Sequence, residues 1–387
     1  MENVSSRCGK SDNAPRLRFP EFSGEWVEKK LREIIIEVKR KAEENSKAPV
    51  MMISATEGFI NQSERYSSNN AGKSLKKYTL LKKGELAYNH GYSKTRNFGS
   101  CFTLEIEQAR IPFVYHSFSL KGENDSVFWG KYLNSGLFDG KLRRLVASTA
   151  RMDGLLNISF ENYSSMPVNI PSLPEQKKIA AFFTLLDRRI QKQRQFVERL
   201  KTYKRGVFSV LLNSFSKYET LLLENCASIK KGEQLNKTDM IKNGKYYVLN
   251  GGVAASGRTD NFNTDKNTIS ISEGGNSCGF VLFNTEKFWS GGHCYTLQNL
   301  KQNVNNQYLF HYLKFHEKQI MSLRVGSGLP NIQKSELEKF EVLLPSEDIQ
   351  NKIANIMSNI TSYEDVVKKE LLNLDKLKLA LLQKMFI

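Results

Sequence analysis

Apolar residues recur at alternating steps of four and three along two long stretches of the chain. In the first, Ile179, Phe183, Leu186, Ile190, Val197 and Leu200 fall on one stripe, continued by Val207 and Leu211, with Gln193 and Lys204 as polar interruptions. That spacing is the seam of a coiled coil. Pro174-Glu175-Gln176 suits a first helical turn, so a helix is predicted over residues 174–216. An offset of 174 residues carries the same stripe onto Ile353, Met357, Ile360, Val367, Leu371 and Leu374, then Leu381 and Met385, with Glu364 and Lys378 interrupting. A second helix is predicted over 346–387. Roughly 40 residues at ~1.5 Å rise make each about 60 Å long. Each stripe needs a partner, and the other helix is the nearest candidate, so the pair is expected to form an antiparallel coiled coil.

The offset extends beyond the helices. Gly154-Leu155-Leu156-Asn157-Ile158 maps onto Gly328-Leu329-Pro330-Asn331-Ile332, Pro171 onto Pro345, and Lys178-Ile179-Ala180 onto Lys352-Ile353-Ala354. Upstream the match drifts, as loop insertions would make it, and His116-Ser117-Phe118-Ser119-Leu120 faces His293-Cys294-Tyr295-Thr296-Leu297. The chain therefore reads as an internal pseudo-twofold repeat of a variable globular part followed by a long helix. The globular parts, 16–173 and 217–345, read as mixed α/β. Strands are expected at 78–81, 85–88, 246–249, 268–271 and 280–283, short helices at 127–135 and 307–317, and closing strands at 166–171 and 340–345.

Composition adds charge. The chain has 387 residues with Lys plus Arg 57 against Asp plus Glu 40, a net charge of +17. Nucleic acid is the partner class this excess favours, with a solubilising surface as the bland alternative. The charge is uneven: residues 174–213 hold ten basic and three acidic residues, residues 348–387 six and five. Residues 1–15 form a polar tail without the apolar core of a signal peptide. No run approaches the ~18 apolar residues of a membrane span, so a cytoplasmic protein without membrane contact is expected. Five cysteines, Cys8, Cys101, Cys226, Cys278 and Cys294, show no paired C-x-x-C spacing and read as reduced thiols.

Arg18-Phe19-Pro20-Glu21-Phe22 with Trp26, the Pro171-x-x-Pro174-Glu175-Gln176-Lys177-Lys178-Ile179-Ala180 passage, and its degenerate copy at 331–354 resemble the specificity subunit of type I restriction-modification enzymes. The resemblance implies two target-recognition domains separated by two long spacer helices, and a DNA-recognition protein with no catalytic residues and no cofactor of its own. Each domain would read one half of a split double-stranded DNA target, and the paired helices would set the gap between the halves. It also implies two methyltransferase subunits and restriction/translocase subunits as partners, which would use S-adenosylmethionine, ATP and Mg. The second copy departs from the pattern: Asp348-Ile349-Gln350 stands where Pro174-Glu175-Gln176 stands in the first. Ser346 or Asp348 can still cap that helix.

Chemistry elsewhere in the chain is sparse. There is no Pro-Pro dipeptide, hence no Asn-Pro-Pro or Asp-Pro-Pro loop for a flipped base. Gly72-Lys73-Ser74 lacks the first glycine of a phosphate loop, since Ser67 stands there. His311 and His316 miss the i, i+4 register of a metal pair, and His293-Cys294 near Cys278 has no thiol in the first copy, so no metal is expected. A self-contained DNA-modifying enzyme and a coiled-coil protein scaffold without DNA binding remain as alternatives.

DNA-reading candidates are loop residues able to reach base edges or phosphate. In the first copy they are Asn89, Tyr92, Ser93, Lys94 and Arg96, with Lys73, Lys76 and Lys77 on backbone. In the second they are Asn250, Arg258, Asn276 and Ser277. Arg188, Arg189 and Lys192 of the first helix are expected to face DNA phosphate or an acidic methyltransferase surface. For each loop, an ordinary polar turn is the competing reading.

Overall fold

The computed structural model describes residues 13–43, 46–65, 72–93, 96–146, 156–215, 217–326, 328 and 330–387. It divides into two compact units, Met1–Gln193 with Leu371–Ile387, and Arg194–Glu370. Each unit is therefore assembled from one globular copy and parts of both long helices.

The first unit is built on strands β1 (Ile35–Glu37), β2 (Leu86–Asn89), β3 (Ser100–Thr103) and β4 (His116–Leu120), hydrogen-bonded in the order β1-β4-β2-β3. Leu86, Ala87 and Tyr88 are buried in succession, the pattern of a central strand covered on both faces. The second unit repeats this with β5 (Ser228–Lys231), β6 (Thr268–Ser272), β7 (Val281–Asn284) and β8 (Cys294–Gln298), in the order β5-β8-β6-β7. All pairs in both sheets are antiparallel. The fold is mixed α/β, and the repeat seen in the sequence is a repeat of strand order.

The two copies part company outside these sheets. Beside the first lie two antiparallel pairs, the hairpin Met51–Ser54 with Gly58–Asn61 and the longer-range pair Thr79–Lys82 with Gln108–Ile111. Beside the second, Tyr246–Leu249 runs antiparallel to Gly257–Thr259 and parallel to Phe288–Ser290. Register also corrects the alignment of the copies: His116 stands opposite Tyr88 as Tyr295 stands opposite Ile271. Their side chains reach matching carbonyls, His116 Nε2 that of Ile158 at 2.9 Å and Tyr295 Oη that of Ile332 at 3.2 Å. His116 thus corresponds to Tyr295 and not to His293. A shift of two residues leaves the same strand face inward, so hydrophobic pattern alone cannot detect it.

One buried glutamine per copy ties sheet to helix. Gln176 accepts from Asp125 N at 3.0 Å and donates to the Pro171 carbonyl at 3.1 Å. Gln350 accepts from Asn305 N at 2.8 Å and donates to the Pro345 carbonyl at 2.9 Å. Asp125 and Asn305 in turn cap the helices Ser126–Leu133 and Asn306–Phe315. The paired Pro and Gln of the sequence motif are therefore a staple that fixes where each long helix leaves its domain.

The long helices are α1 (Leu173–Asn213) and α2 (Glu347–Met385). Every expected seam residue, from Ile179, Phe183, Leu186, Ile190, Val197 and Leu200 to Ile353, Met357, Ile360, Val367, Leu371 and Leu374, is buried or half-buried. In the first unit Phe183 stacks on Phe386 at 5.6 Å and Asp187 meets Lys378 at 2.6 Å, so the chains run antiparallel there. Asp187 also binds Lys131. In the second unit the polar seam residues Lys204 and Glu364 pair at 3.1 Å, and Lys368 approaches the other carboxylate oxygen at 2.6 Å. Three of the four interruptions in the heptad, Lys204, Glu364 and Lys378, are thus in ion pairs across the seam, a device that penalises shifted registers.

Burial pushes the Glu364 carboxyl up, but the Lys368 hydrogen bond and the charge of Lys204 outweigh it and leave it below the ordinary carboxylate range. A carboxyl depressed on folding contributes stability that is present above its unfolded pKa and lost as pH falls through the folded one. Glu364→Gln is expected to lower stability at pH 7 by on the order of 1–3 kcal/mol. That deficit should shrink on acidification below about pH 4.5, the ordinary carboxyl value from which it is displaced. Chemical denaturation of both proteins across acidic and neutral pH checks this; a deficit independent of pH contradicts the ion-pair account.

Candidate nucleic-acid interface

Strand ends converge at one edge of the second sheet. Lys231 is the last residue of β5, opposite Tyr295 of β8, and Ser272 of β6 is opposite Cys294. One step beyond, Glu273 N donates to the His293 carbonyl at 3.0 Å. His293 is therefore level with Glu273, and Lys231, level with Tyr295, lies two residues back on the same sheet face, so the three form a slanting row across three neighbouring strands. Glu273 is 3% exposed; its Oε1 accepts from Lys231 Nζ at 2.6 Å and from Tyr295 Oη at 3.0 Å. Its Oε2 lies 3.6 Å from His293 Nδ1 and has no hydrogen bond.

Around this row the backbone is packed closely. A Cβ on Gly291 would sit 2.7 Å from Asn250 Oδ1, and one on Gly251 would sit 2.8 Å from the His293 carbonyl. Gly251 also has φ of +77°, where glycine is favoured. Asn250 is held in the same cluster, accepting from His293 N at 3.3 Å. Asn276 is exposed on the single turn Gly275–Ser277, with Ser277 half-buried beside it and its carbonyl accepting from Phe280 N at 2.9 Å. Arg258 lies on a neighbouring strand with its guanidinium on the carbonyls of Gly244 at 2.5 Å and Lys245 at 2.7 Å. That geometry serves the hairpin, and a base contact by Arg258 would have to break it.

The matching edge of the first sheet carries the loop from Asn89 to Asn97. Asn89 spends its amide on the turn, donating to the Ile53 carbonyl at 3.3 Å and accepting from Gly91 N at 3.0 Å. Ser93 and Arg96 close a small loop, Ser93 N to the Arg96 carbonyl at 3.0 Å and Arg96 N to Ser93 Oγ at 3.0 Å. Tyr92 is exposed at its tip. Lys94 lies outside the described residues, as does the Lys73 side chain; Lys76 and Lys77 are exposed at the end of the short helix Gly72–Lys77. Beneath the loop His90 is buried, with Nδ1 on the Leu156 carbonyl at 2.6 Å and Nε2 on the Val114 carbonyl at 2.8 Å. It stacks on His116 with ring centroids 4.9 Å apart. His90 is the counterpart of Glu273, two residues beyond the paired Tyr88 and Ile271. The first copy thus builds this position from a ring held by carbonyls and the second from a carboxylate held by polar side chains.

On α1, Arg188, Arg189 and Lys192 are exposed. Other basic residues of that helix are committed: Lys178 to Glu21 at 3.1 Å, Lys204 to Glu364, and Arg205 over the Phe315 ring at 5.1 Å. The same helices expose Leu185, Tyr203, Val210, Tyr363, Val366 and Leu372. Among the described residues no group of three or more His, Cys, Asp or Glu could hold a metal ion, and no helix is long and apolar enough to cross a membrane. Cys101, Cys226, Cys278 and Cys294 are buried free thiols, and burial pushes Cys294 up to about 11. His311 packs in the core against Ser358 at 3.3 Å, and burial pushes it down to about 4.

Sequence reasoning named Asn250 and Asn276 but did not assemble the Lys231, Glu273 and His293 row. The residues stand far apart in the chain, and only strand register unites them. The sequence pattern predicts no strand over 228–231, so nothing local drew attention to Lys231.

Residues 216–375 match the type I restriction modification DNA specificity domain. A Mycoplasma pneumoniae protein provisionally named a type I specificity subunit is 38% identical over 149 residues, which is 38% of this chain and 40% of that protein. A Mycoplasma genitalium protein provisionally given the same name is 37% identical over 149 residues, 38% of this chain and 39% of its own length. The matched segment thus spans about two fifths of these curated relatives. Among solved structures, the S subunit of a type I restriction-modification system from M. genitalium superposes with TM-score 0.65 at 18% identity, covering 97% of this chain and 99% of that one. A chain from a structure of complex assembly and conformational transition of the type I R-M system superposes with TM-score 0.54 at 14% identity, covering 93% of this chain and 97% of that one. Residues 216–375 are thus similar to the type I restriction modification DNA specificity domain, and the strand order of the sheet they contain is repeated in the first unit.

Proposed function

We propose that this chain is the DNA sequence-recognition subunit of a type I restriction-modification complex, with each globular copy reading one half of a bipartite target. The observation that carries the reading is the repeated sheet, whose corresponding edges bear the polar loops Asn89–Asn97 and Glu273–Ser277, with the second copy matching a domain named for DNA specificity. Tyr92, Asn276 and Ser277 are the loop side chains best placed for base edges, while Lys76, Lys77 and the exposed Arg188, Arg189 and Lys192 suit phosphate. Asn89, Asn250 and Arg258 act through loop shape, since their polar groups already hold backbone. Domain limits of 16–173 and 217–345 belong to this proposal.

The chain supplies recognition and no chemistry, and methyltransferase and restriction/translocase subunits supply methylation and cleavage using S-adenosylmethionine, ATP and Mg. The exposed apolar residues of α1 and α2 support docking of protein partners on the helices. Such a complex works on cytoplasmic DNA.

Methylation profiling of genomic DNA from cells with and without this gene tests the reading. The expected result is the disappearance of one gapped, two-part methylated motif when the gene is removed. An unchanged set of methylated motifs, in cells whose partner methyltransferase is active, contradicts it.

A further inference from the structure

We propose that Glu273 is a positioning residue for DNA-backbone contact in the second unit: its buried carboxylate holds Lys231 and His293 where they engage phosphate beside that unit's half-site. The inference rests on the DNA-recognition reading above and assigns a role within it.

The row across β5, β8 and β6 has an inside and an outside. Glu273 is 3% exposed, whereas the side chains of Lys231 and His293 are 53% and 60% exposed. A carboxylate so deep is costly unless paired and hydrogen-bonded. Its Oε1 is satisfied by Lys231 and Tyr295. Its Oε2, sealed from solvent and without a hydrogen bond, faces His293 Nδ1 at 3.6 Å. With a proton on both ring nitrogens, Nδ1–H faces that oxygen and Nε2–H is the donor left on the solvent side. Lys231, tethered by one N–H, keeps two others for an outside acceptor. A phosphodiester oxygen is the acceptor that suits two cationic or donor heads fixed side by side.

The surroundings favour the same occupant. Gly251 and Gly291 are buried in close contact with His293, Asn250 and Leu249, so the loops beside the row are tightly packed, while Lys231 and His293 stand exposed next to them. Lys230, exposed next to Lys231, adds charge. In the first unit the corresponding inner position is His90, bound at both nitrogens to carbonyls. The carboxylate anchor is therefore a property of the second copy alone among the described residues.

The sign of one substitution discriminates anchor from bystander. A negative charge merely near DNA repels it, so its removal tightens binding. Removal of an anchor releases Lys231 and His293 and weakens binding. The experiment measures affinity of the purified full-length chain for a duplex carrying its methylated motif, across about 50–200 mM salt, at a temperature where circular dichroism shows every variant folded. Glu273→Gln should weaken binding by about tenfold, and Lys231→Met should reduce the salt slope by about one. The double variant should be no weaker than Lys231→Met by more than about twofold, since both act through one contact. Glu273→Asp should recover part of the loss. Equal or tighter binding by Glu273→Gln, or losses that multiply in the double variant, overturns the inference while leaving DNA recognition standing. A wild-type chain that binds no duplex overturns the DNA-recognition reading and the inference with it.

Discussion

Exchanging residues 217–345 for the matching segment of a protein with a similar specificity domain is expected to rewrite one half of the methylated motif and leave the other half unchanged. The two copies have separate cores. One gathers Trp26, Phe118, Trp129, Tyr132 and Tyr163, the other Ile269, Val281, Tyr295, Tyr308 and Leu337. No buried side chain is shared between these clusters, so replacing one leaves the packing of the other intact. The exchanged segment does not carry its whole core, however. Phe208 and Leu212 from α1 and Ile353, Ala354 and Met357 from α2 complete it. An incoming segment must fit those five side chains at native packing density, and overpacking there costs typically about 1–3 kcal/mol. Segments whose core residues match in volume should work directly, and others should work once the five positions are exchanged with them. Sequencing of methylated sites in cells carrying the hybrid reads the result. A motif altered in both halves would show that the copies do not read independently.

Phe386→Ala is expected to destabilise the first unit by about 3–5 kcal/mol, the range for removing a buried aromatic side chain. Phe386 is 2% exposed and its ring meets those of Phe128 at 5.7 Å, Tyr132 at 5.2 Å and Phe183 at 5.6 Å. Leu382 and Met385 enter the same core beside it, and Tyr132 Oη donates to the Ile387 carbonyl at 2.6 Å. The end of α2 is thus a structural part of a domain whose other residues come from the opposite end of the sequence. Hydrogen exchange followed by mass spectrometry localises the effect: protection should fall in β2, β4 and the helix Ser126–Leu133. Strands β6 and β8 should keep theirs. A loss below about 1 kcal/mol would mean that the pocket collapses around the missing ring and that Phe386 is not a keystone of that core.

Much of this architecture was legible in residue spacing. The heptad pointed to both long helices, because burial along a helix follows the 3.6-residue period directly. It did not reach Phe208, Leu212, Leu382 and Phe386, which are buried one residue off its stripe where each helix enters a domain core. Its polar positions were visible as interruptions, but their partners were not. Lys204 and Glu364 are separated by most of the second domain, and only the antiparallel pairing brings them together. Strand positions such as Tyr246–Leu249 and Thr268–Ser272 were also anticipated. The order in which the strands pair was hidden, since it depends on contacts between distant segments that leave no local pattern. For the same reason His116 was aligned with His293 when pairing places it with Tyr295. At the candidate site, side-chain type suggested Arg258 as a reader, yet its guanidinium is occupied by two carbonyls. Glu273 carries no motif of its own in the sequence; its meaning lies in the lysine and histidine that register brings beside it.

The way the helices are shared between units bears on how the protein is made. Residues 194–370 form a continuous stretch, so the second unit has all its parts as soon as the ribosome has released that stretch. The first unit begins emerging earlier but lacks Leu382, Met385 and Phe386 until residues 371–387 have followed the whole of the second unit. Domains ordinarily fold in the order in which they are synthesised; here the order is inverted, and the earlier copy must wait with part of its aromatic core uncovered. A nascent chain stalled shortly before residue 380 would hold a finished second unit and an unfinished first one. Chaperone capture during translation should therefore concentrate on residues 26–170, the portion that emerges first and closes last.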